Sequence, residues 1–478
     1  MKIDFLEEPE LEFGGNNRHI DIRHGLSLYG PLDSPEASPR RIRLGFVGTQ
    51  ATIDGIVAWL AKVESGVAAK KSRQPNLFPG FPGFGADSPF RTEFEIDSGL
   101  MRALSPRDIV KLSKMSPMLA ATEGSDLLAA EVQAIVEKGR PDVVVVAVPS
   151  ELIAKDDDEE SEMVSEFQKD QHEFETNMDL RHLLKAKAMK MGQPIQLVLP
   201  QTYDGSRRKS NASSGGTLQD EATRAWNFHT ALYYKANYRP WRIVRHATDL
   251  HTCYVGVSFY RSMDQSKLMT SMAQVYDERG EGVIVRGKPV ELAKDDRQPH
   301  LSAVDAEALL SSALKEYRRE HKHAPARVVM HKSSAFSPAE LEGFNEAVDA
   351  QDLEAADFLV VGKAMTRLYR AGVYPPLRGT MLSIEAKVHL LYTRGSVPYY
   401  ATYPGMYIPR PLKFLIAQSA ENPRRLADEL LALTKLNWNN TQFDGGEPIT
   451  MRVAHQVGKV LKYVGENSIV QPKYSFYM

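Results

Sequence analysis

The stretch Asp142–Pro149 (DVVVVAVP) constrains the fold more than any other part of the chain. A short, nearly unbroken β-branched run reads as a strand buried on both faces, the situation in parallel sheets covered by helices on each side. Its neighbours agree. Arg41–Gly48 (RIRLGFVG) reads as a strand followed by a helix through Thr52–Val63. Leu180–Met191 (LRHLLKAKAMKM) is free of Gly and Pro and rich in good helix formers. Pro194–Pro200 (PIQLVLP) is the next strand and Glu221–Ala236 the next helix. This alternation predicts a Rossmann-like α/β unit.

The texture changes near Trp241. Cys253–Tyr260, Met272–Tyr276 and Gly282–Val285 are three strand candidates in quick succession, followed by helix Ala303–Glu320 and strand Arg327–His331. That order predicts an RNase H-type sheet, with the boundary at about residue 242 and domains 1–242 and 243–478. The 478 residues, 42% of them hydrophobic, suffice for both cores. With 32 Gly, 28 Pro and one Cys, the chain is neither collagen-like, wholly disordered nor a disulfide scaffold. The opening MKIDFLEEPELEFGG is acidic and lacks the apolar core of a signal peptide, and no apolar run approaches a membrane span. A cytoplasmic location without membrane association is expected.

The formal net charge of −2 conceals two opposed blocks. Residues 151–180 carry 12 acids against two lysines, a net −10, and include the acidic segment 154–175. Residues 181–242 carry 11 Lys and Arg against three acids, a net +8. Solvated faces of mixed charge account for most such runs. A basic pocket for phosphate is the sharper reading.

No GxxxxGK[ST] or GxSxG motif is present, which argues against P-loop and serine-hydrolase chemistry. Gly80–Gly85 (GFPGFG) lacks dinucleotide-binding spacing and reads as a loop. His321 and His323 read as solvated. Arg181 and Lys185 are four apart, so a helix places both on one face. Gln196 opens the following strand, and Lys235 and Arg239 repeat the four-residue spacing at the end of a later helix. A terminal phosphate carries about −2 charge and needs several converging donors of these types. Tyr233 and Tyr234 lie beside Lys235 and could stack on a base or fill the core.

This constellation, with KANYRPW at 235–241, resembles the MID domain of Argonaute proteins. The resemblance implies a guide 5′-phosphate site at Arg181, Lys185, Gln196, Lys235 and Arg239. The family's two glycines before the Pro-Trp pair are missing here. The second half extends the likeness. Tyr254–Arg261 (YVGVSFYR) resembles the first PIWI strand, with Ser258 where active members carry Asp. His331–Ser334 (HKSS) resembles H-R-D-G, with Ser333 replacing the second Asp. Leu433–Asn440 and Pro448–His455 resemble the last strand and helix, with His455 at a fourth catalytic position. The terminal YSFYM implies docking, with the Met478 carboxylate and Gln196 as candidate ligands of Mg²⁺ at the phosphate site.

Two-metal phosphodiester cleavage needs carboxylates to hold the ions, and serine is a poor ligand. The expectation is therefore a guide-binding, non-cleaving subunit rather than an enzyme. A register shift of several residues would bring Asp249 or Asp264 into question. The resemblance is to a short prokaryotic Argonaute containing only MID and PIWI. It implies an RNA guide, a complementary target DNA, and a separate APAZ-containing effector chain, sirtuin-like in preference to TIR, that hydrolyses NAD⁺ against plasmids or phage. Two rivals stay open at this stage: an active guide-directed nuclease, and an α/β enzyme for small phosphorylated metabolites.

Overall fold

A computed structural model describes the chain except for residues 36–37, 153–178, 206–217, 246–248, 277–281, 293–296, 370, 372–374, 404–407, 444, 466–467 and 469. The acidic segment 154–175 and Arg207, Arg208 and Lys209 therefore lie outside the described residues. Two compact units emerge, one comprising Ser34–Lys71 and Phe78–Tyr238, the other Met1–Asp33, Ser72–Leu77 and Arg239–Met478.

The first unit is built on a four-stranded, all-parallel sheet in the order Thr92–Ala103, Arg40–Gly48, Val143–Ala147, Ile195–Val198. Val143–Ala147 takes an interior position and is buried at every residue, as its composition demands. Burial of each valine contributes roughly 1.5–3 kcal/mol, so the run anchors the sheet. The helices start where short polar side chains can accept from backbone amides. Thr49 caps Gln50–Val63 through Thr52 N, Asp179 caps Leu180–Lys190 through Arg181 N, and Asp220 caps Glu221–Lys235 through Thr223 N. The GFPGFG stretch is a loop, as expected. Its Phe81 and Phe84 are buried and pack with Trp226 and His229. The edge strand Thr92–Ala103 and the long helix Pro117–Gly139 complete the layer. The expected Rossmann-like unit is what forms.

In the second unit, Thr252–Arg261, Arg327–Lys332 and Ala355–Lys363 run parallel at the heart of an eleven-stranded mixed sheet. Leu268–Tyr276 joins one side antiparallel, and Leu412–Gln418, Val388–Leu391, Thr380–Ser383 and Lys2–Phe5 follow antiparallel on the other. Helix Ala303–His321 supplies Leu310, Leu314 and Tyr317, and helix Pro338–Ala350 supplies Phe344, to a core shared with Val255, Val257 and Met330. A second core gathers Leu359, Phe414 and Met381 with Leu426 and Leu430 of helix Pro423–Leu433. Helix Ile449–Leu461 packs directly on the Thr252–Arg261 strand. A Cβ at Gly256 would lie 2.2 Å from the Thr450 carbonyl oxygen, so only glycine permits that approach.

Two expectations differ from the structure. The domain limits 1–242 and 243–478 place the N-terminal residues with the wrong unit, since Met1–Asp33 packs with the C-terminal half. The reason is charge pairing over long sequence distance: Glu8 meets the buried Arg378 and Lys435 at 2.9 Å each. The expected strand at Leu433–Asn440 is not one. Leu433 closes a helix, and the next residues form turns in which Lys435 donates to Pro9 O and Ile20 O. Among the described residues, the last strand is Leu412–Gln418. Among the described residues, no helix is long and apolar enough to cross a membrane.

Candidate functional site

Within the first unit, the Leu180–Lys190 and Glu221–Lys235 helices both pack against the Ile195–Val198 strand, which carries Gln196. Of the basic side chains on those helices, Lys235 reaches this edge strand. Lys235, at the last turn of its helix, is 3% exposed. Its ammonium donates to the Ile195 carbonyl and to Gln196 Oε1, each at 2.8 Å. Gln196 Nε2 in turn donates to Leu197 O at 2.9 Å, which fixes the amide with its oxygen toward the lysine. The helix dipole adds a favourable term for a cation at this C-terminal turn.

Arg181 and Lys185 occupy successive turns of the shorter helix, Arg181 half-buried and Lys185 8% exposed. Asp179 holds the start of that helix through the amides of Arg181 and His182 and through the His182 ring. Burial works against ionisation of Asp179, but His182 and Arg181 win and hold its carboxyl well below the usual range.

Not every member of the +8 block is available to a ligand. Lys187 is spent on Ser125 and Asp126, Arg224 on the carbonyls of Gln201 and Thr202, and Arg242 on Glu12. Tyr233 is fully buried and its hydroxyl accepts from Arg40, which makes it a core residue. Arg239 and Met478 belong to the second unit. The Arg239 amide donates to Asp33 Oδ2. Met478 is 4% exposed, and the preceding Tyr477 is fully buried with its hydroxyl donating to Gln471 O. The oxygen that Gln196 could offer a divalent cation already accepts from an ammonium, so fixed positive charge is present there without any metal.

In the second unit, Ser258 and Ser333, matched by resemblance to the family's two Asp positions, lie beside one another. The parallel register pairs Lys332 with Val257, and Ser333 N donates to Val257 O, which sets Ser333 beside Ser258. Ser258 is buried and Ser333 exposed. Neither nearby acid takes their place. Asp249 precedes the strand and pairs with Arg425 at 2.9 Å, about 20 Å of strand away from Ser258. Asp264 lies in the following turn, where hydrogen bonds from Ser262 and Ser266 push its carboxyl down to about 2.

His455, on the Ile449–Leu461 helix, faces Glu447 at 3.5 Å. Burial disfavours the Glu447 charge, yet His455 and the nearby Lys363 and Arg452 hold its carboxyl at about 2. Beneath the serines, His331 Nδ1 is 2.8 Å from Thr450 Oγ1, and burial depresses the imidazole to about 3.

Sequence reasoning missed the Lys332–Glu340 ion pair, 2.9 Å long and wholly buried directly before Ser333. Its signal was present: Ser337-Pro-Ala-Glu340 is a capping box, and the same Glu340 carboxylate accepts from Ser337 N. His321 and His323 are not simply solvated, since the His321 ring lies tilted against Tyr317 and the His323 ring meets His251 edge-on.

Comparison with solved structures places the fold. The chain superposes on the Clostridium butyricum Argonaute bound to a guide DNA (5′ deoxycytidine) and a 19-mer target DNA, with a TM-score of 0.66 and 13% identity, over 100% of this chain and 55% of that one. It matches the A. aeolicus Argonaute at a TM-score of 0.59 and 12% identity, over 99% and 55%. For Drosophila Piwi the values are 0.60 and 14%, over 99% and 56%. The chain spans about half the length of each. No protein-family model matches the sequence, nor does any curated protein. The fold is thus Argonaute-like, a Rossmann-like MID unit followed by an RNase H-like PIWI unit.

Proposed function

We propose that this chain is the guide-binding subunit of a short prokaryotic Argonaute system. The observation that carries the reading is the buried Lys235–Gln196 contact on a strand flanked by the Arg181–Lys185 helix face. An ammonium and an amide on the strand, with two further cations on a helix packed against it, supply the donor types a terminal phosphate needs. The guide is RNA with a 5′-phosphate, and the target is complementary DNA read by base pairing. Within the first unit the phosphate-binding set is Arg181, Lys185, Gln196 and Lys235, whereas Arg239 and Met478 belong to the other unit. Because Lys235 already supplies charge at Gln196, the first hold on the phosphate comes from the protein's own cations.

The PIWI unit recognises rather than cuts. Ser258 and Ser333 stand side by side where two metal-binding carboxylates would be required, and His455 engages Glu447. Enzymatic output then belongs to a partner, an APAZ-containing chain with a sirtuin-like effector in preference to TIR, which hydrolyses NAD⁺ when an invading plasmid or phage is recognised.

The decisive experiment is guide binding by the purified chain. Guides with a 5′-phosphate are expected to bind much more tightly than the same sequences with a 5′-hydroxyl, and the difference to vanish in Lys185→Ala and Lys235→Ala. Equal affinities in the wild type would favour the rival reading of a pocket for small phosphorylated metabolites.

A further inference from the structure

Among the described residues, the outermost strand of the eleven-stranded sheet, Lys2–Phe5, pairs on one side only, with Thr380–Ser383. Its side chains alternate sharply. Leu6 is buried in the core, and Lys2 and Asp4 share that face, where they form a 2.9 Å ion pair. The opposite face presents Met1, Ile3 and Phe5, which are 90%, 65% and 45% exposed, beside Ile384 at 39%. Open edges of this kind are usually blunted by charge, proline or a covering element. On this face, three apolar side chains in alternation do the opposite.

Backbone parity shows which groups the edge offers. Leu6 N donates inward to Gly379 O, so Lys2 and Asp4 also face Thr380–Ser383. The amide and carbonyl of Ile3 therefore point outward, in line with the Phe5 carbonyl, which accepts from Arg424.

We propose that this strand is a self-pairing edge through which two copies of the chain join. A two-fold axis through Ile3 pairs Ile3 with itself as an antiparallel hydrogen-bonded pair, each amide donating to the other's carbonyl. In that register Lys2 lies opposite Asp4 of the second copy, and Asp4 opposite its Lys2, at close non-hydrogen-bonded positions. Met1 and Phe5 meet across the same pair. The neighbouring symmetric registers fail: a shift one way sets Lys2 against Lys2, the other way Asp4 against Asp4. Charge thus selects one register, and it is the register that also joins the apolar faces. This inference concerns the sheet edge alone and stands apart from guide binding.

Sedimentation of the full chain over a wide concentration range tests it. A reversible dimer is expected. Lys2→Asp or Asp4→Lys alone creates two like-charge pairs per dimer and is expected to weaken it about tenfold. The double variant Lys2→Asp, Asp4→Lys restores both pairs and is expected to restore the dimer, which separates a register effect from a folding defect. Concentration-dependent protection of the Ile3 amide from exchange is the second readout. A monomer at every concentration overturns the proposal, as does a dimer indifferent to the single reversals. So does a monomer whose Ile3 amide is protected only by a strand from a different protein.

Discussion

Lys235 reaches 2.8 Å from Gln196 Oε1 across 39 residues of sequence, and the same ammonium takes the Ile195 carbonyl. Strand and helix are thereby locked together at this contact. A buried ammonium loses its water and must be repaid by acceptors or by an arriving anion. Lys235→Ala should therefore lower the affinity for a 5′-phosphate guide by about 10–100-fold, equivalent to roughly 1.4–2.8 kcal/mol. The 5′-hydroxyl guide serves as the internal control, because a general packing defect weakens both. A parallel loss in the two guides, measured by filter binding or anisotropy at fixed salt, removes Lys235 from the phosphate site.

A second expectation concerns the serine pair. The wild-type chain should not cut target in Mg²⁺ or Mn²⁺. Ser258→Asp with Ser333→Asp puts two carboxylates on adjacent parallel strands, one at a buried position. Without metal this variant should melt below the wild type, since an unpaired buried carboxylate is costly. Mn²⁺ should raise its melting temperature and leave the wild type unmoved. An equal response of both proteins to Mn²⁺ would show that the serines do not stand at the ion-binding positions.

Much of this was legible in advance. The Val143–Ala147 run and its flanking helices rest on local pattern, which sequence displays directly, whereas Gln196 and Lys235, 39 residues apart, are linked only by the family resemblance. Ser258 and Ser333 could be placed together only through the resemblance of their two motifs to the family's paired Asp positions. What could not be read depends on partners remote in sequence. Glu8 looks like one more acid in an acidic opening until Arg378 and Lys435 stand beside it. Leu433–Asn440 resembles the family's last strand, yet it folds as a helix end and turns. There Trp241 donates its indole N–H to Lys435 O, and Trp438 donates to Trp241 O.

Acid should destabilise both units through histidines buried in the neutral form. Burial lowers His229 to about 4 and His331 to about 3, both from an ordinary 6.5. With the folded values depressed, the unfolded chain binds these protons first. The stabilising contribution is complete above pH 6.5 and declines as pH falls from there toward 4 for His229 and 3 for His331. Each group gives a slope of about 1.4 kcal/mol per pH unit in its window. Melting curves between pH 7.5 and 4.5 should show this fall, and His229→Phe should flatten it for the first unit. Unchanged slopes in that variant would reject the assignment.

The last expectation follows from the opening segment. Glu8 is the carboxylate shared by Arg378 and Lys435, neither of whose side chains is exposed. Burial opposes its charge, but the guanidinium and ammonium outweigh burial and keep its carboxyl below the usual value. Removing one partner from such a cluster leaves buried charge uncompensated, at a cost of about 3–5 kcal/mol. Glu8→Gln keeps the volume and removes the charge, so it isolates this effect from cavity formation. It should lower the unfolding free energy of the C-terminal unit by that amount in urea, while the first unit's transition stays in place. Residues 239–478 expressed without Met1–Asp33 should lose that unit's cooperative transition, and adding residues 1–33 back as a separate peptide should recover part of it. A cooperative, undiminished transition in the truncated chain would mean that the opening segment lies on the unit without supporting it.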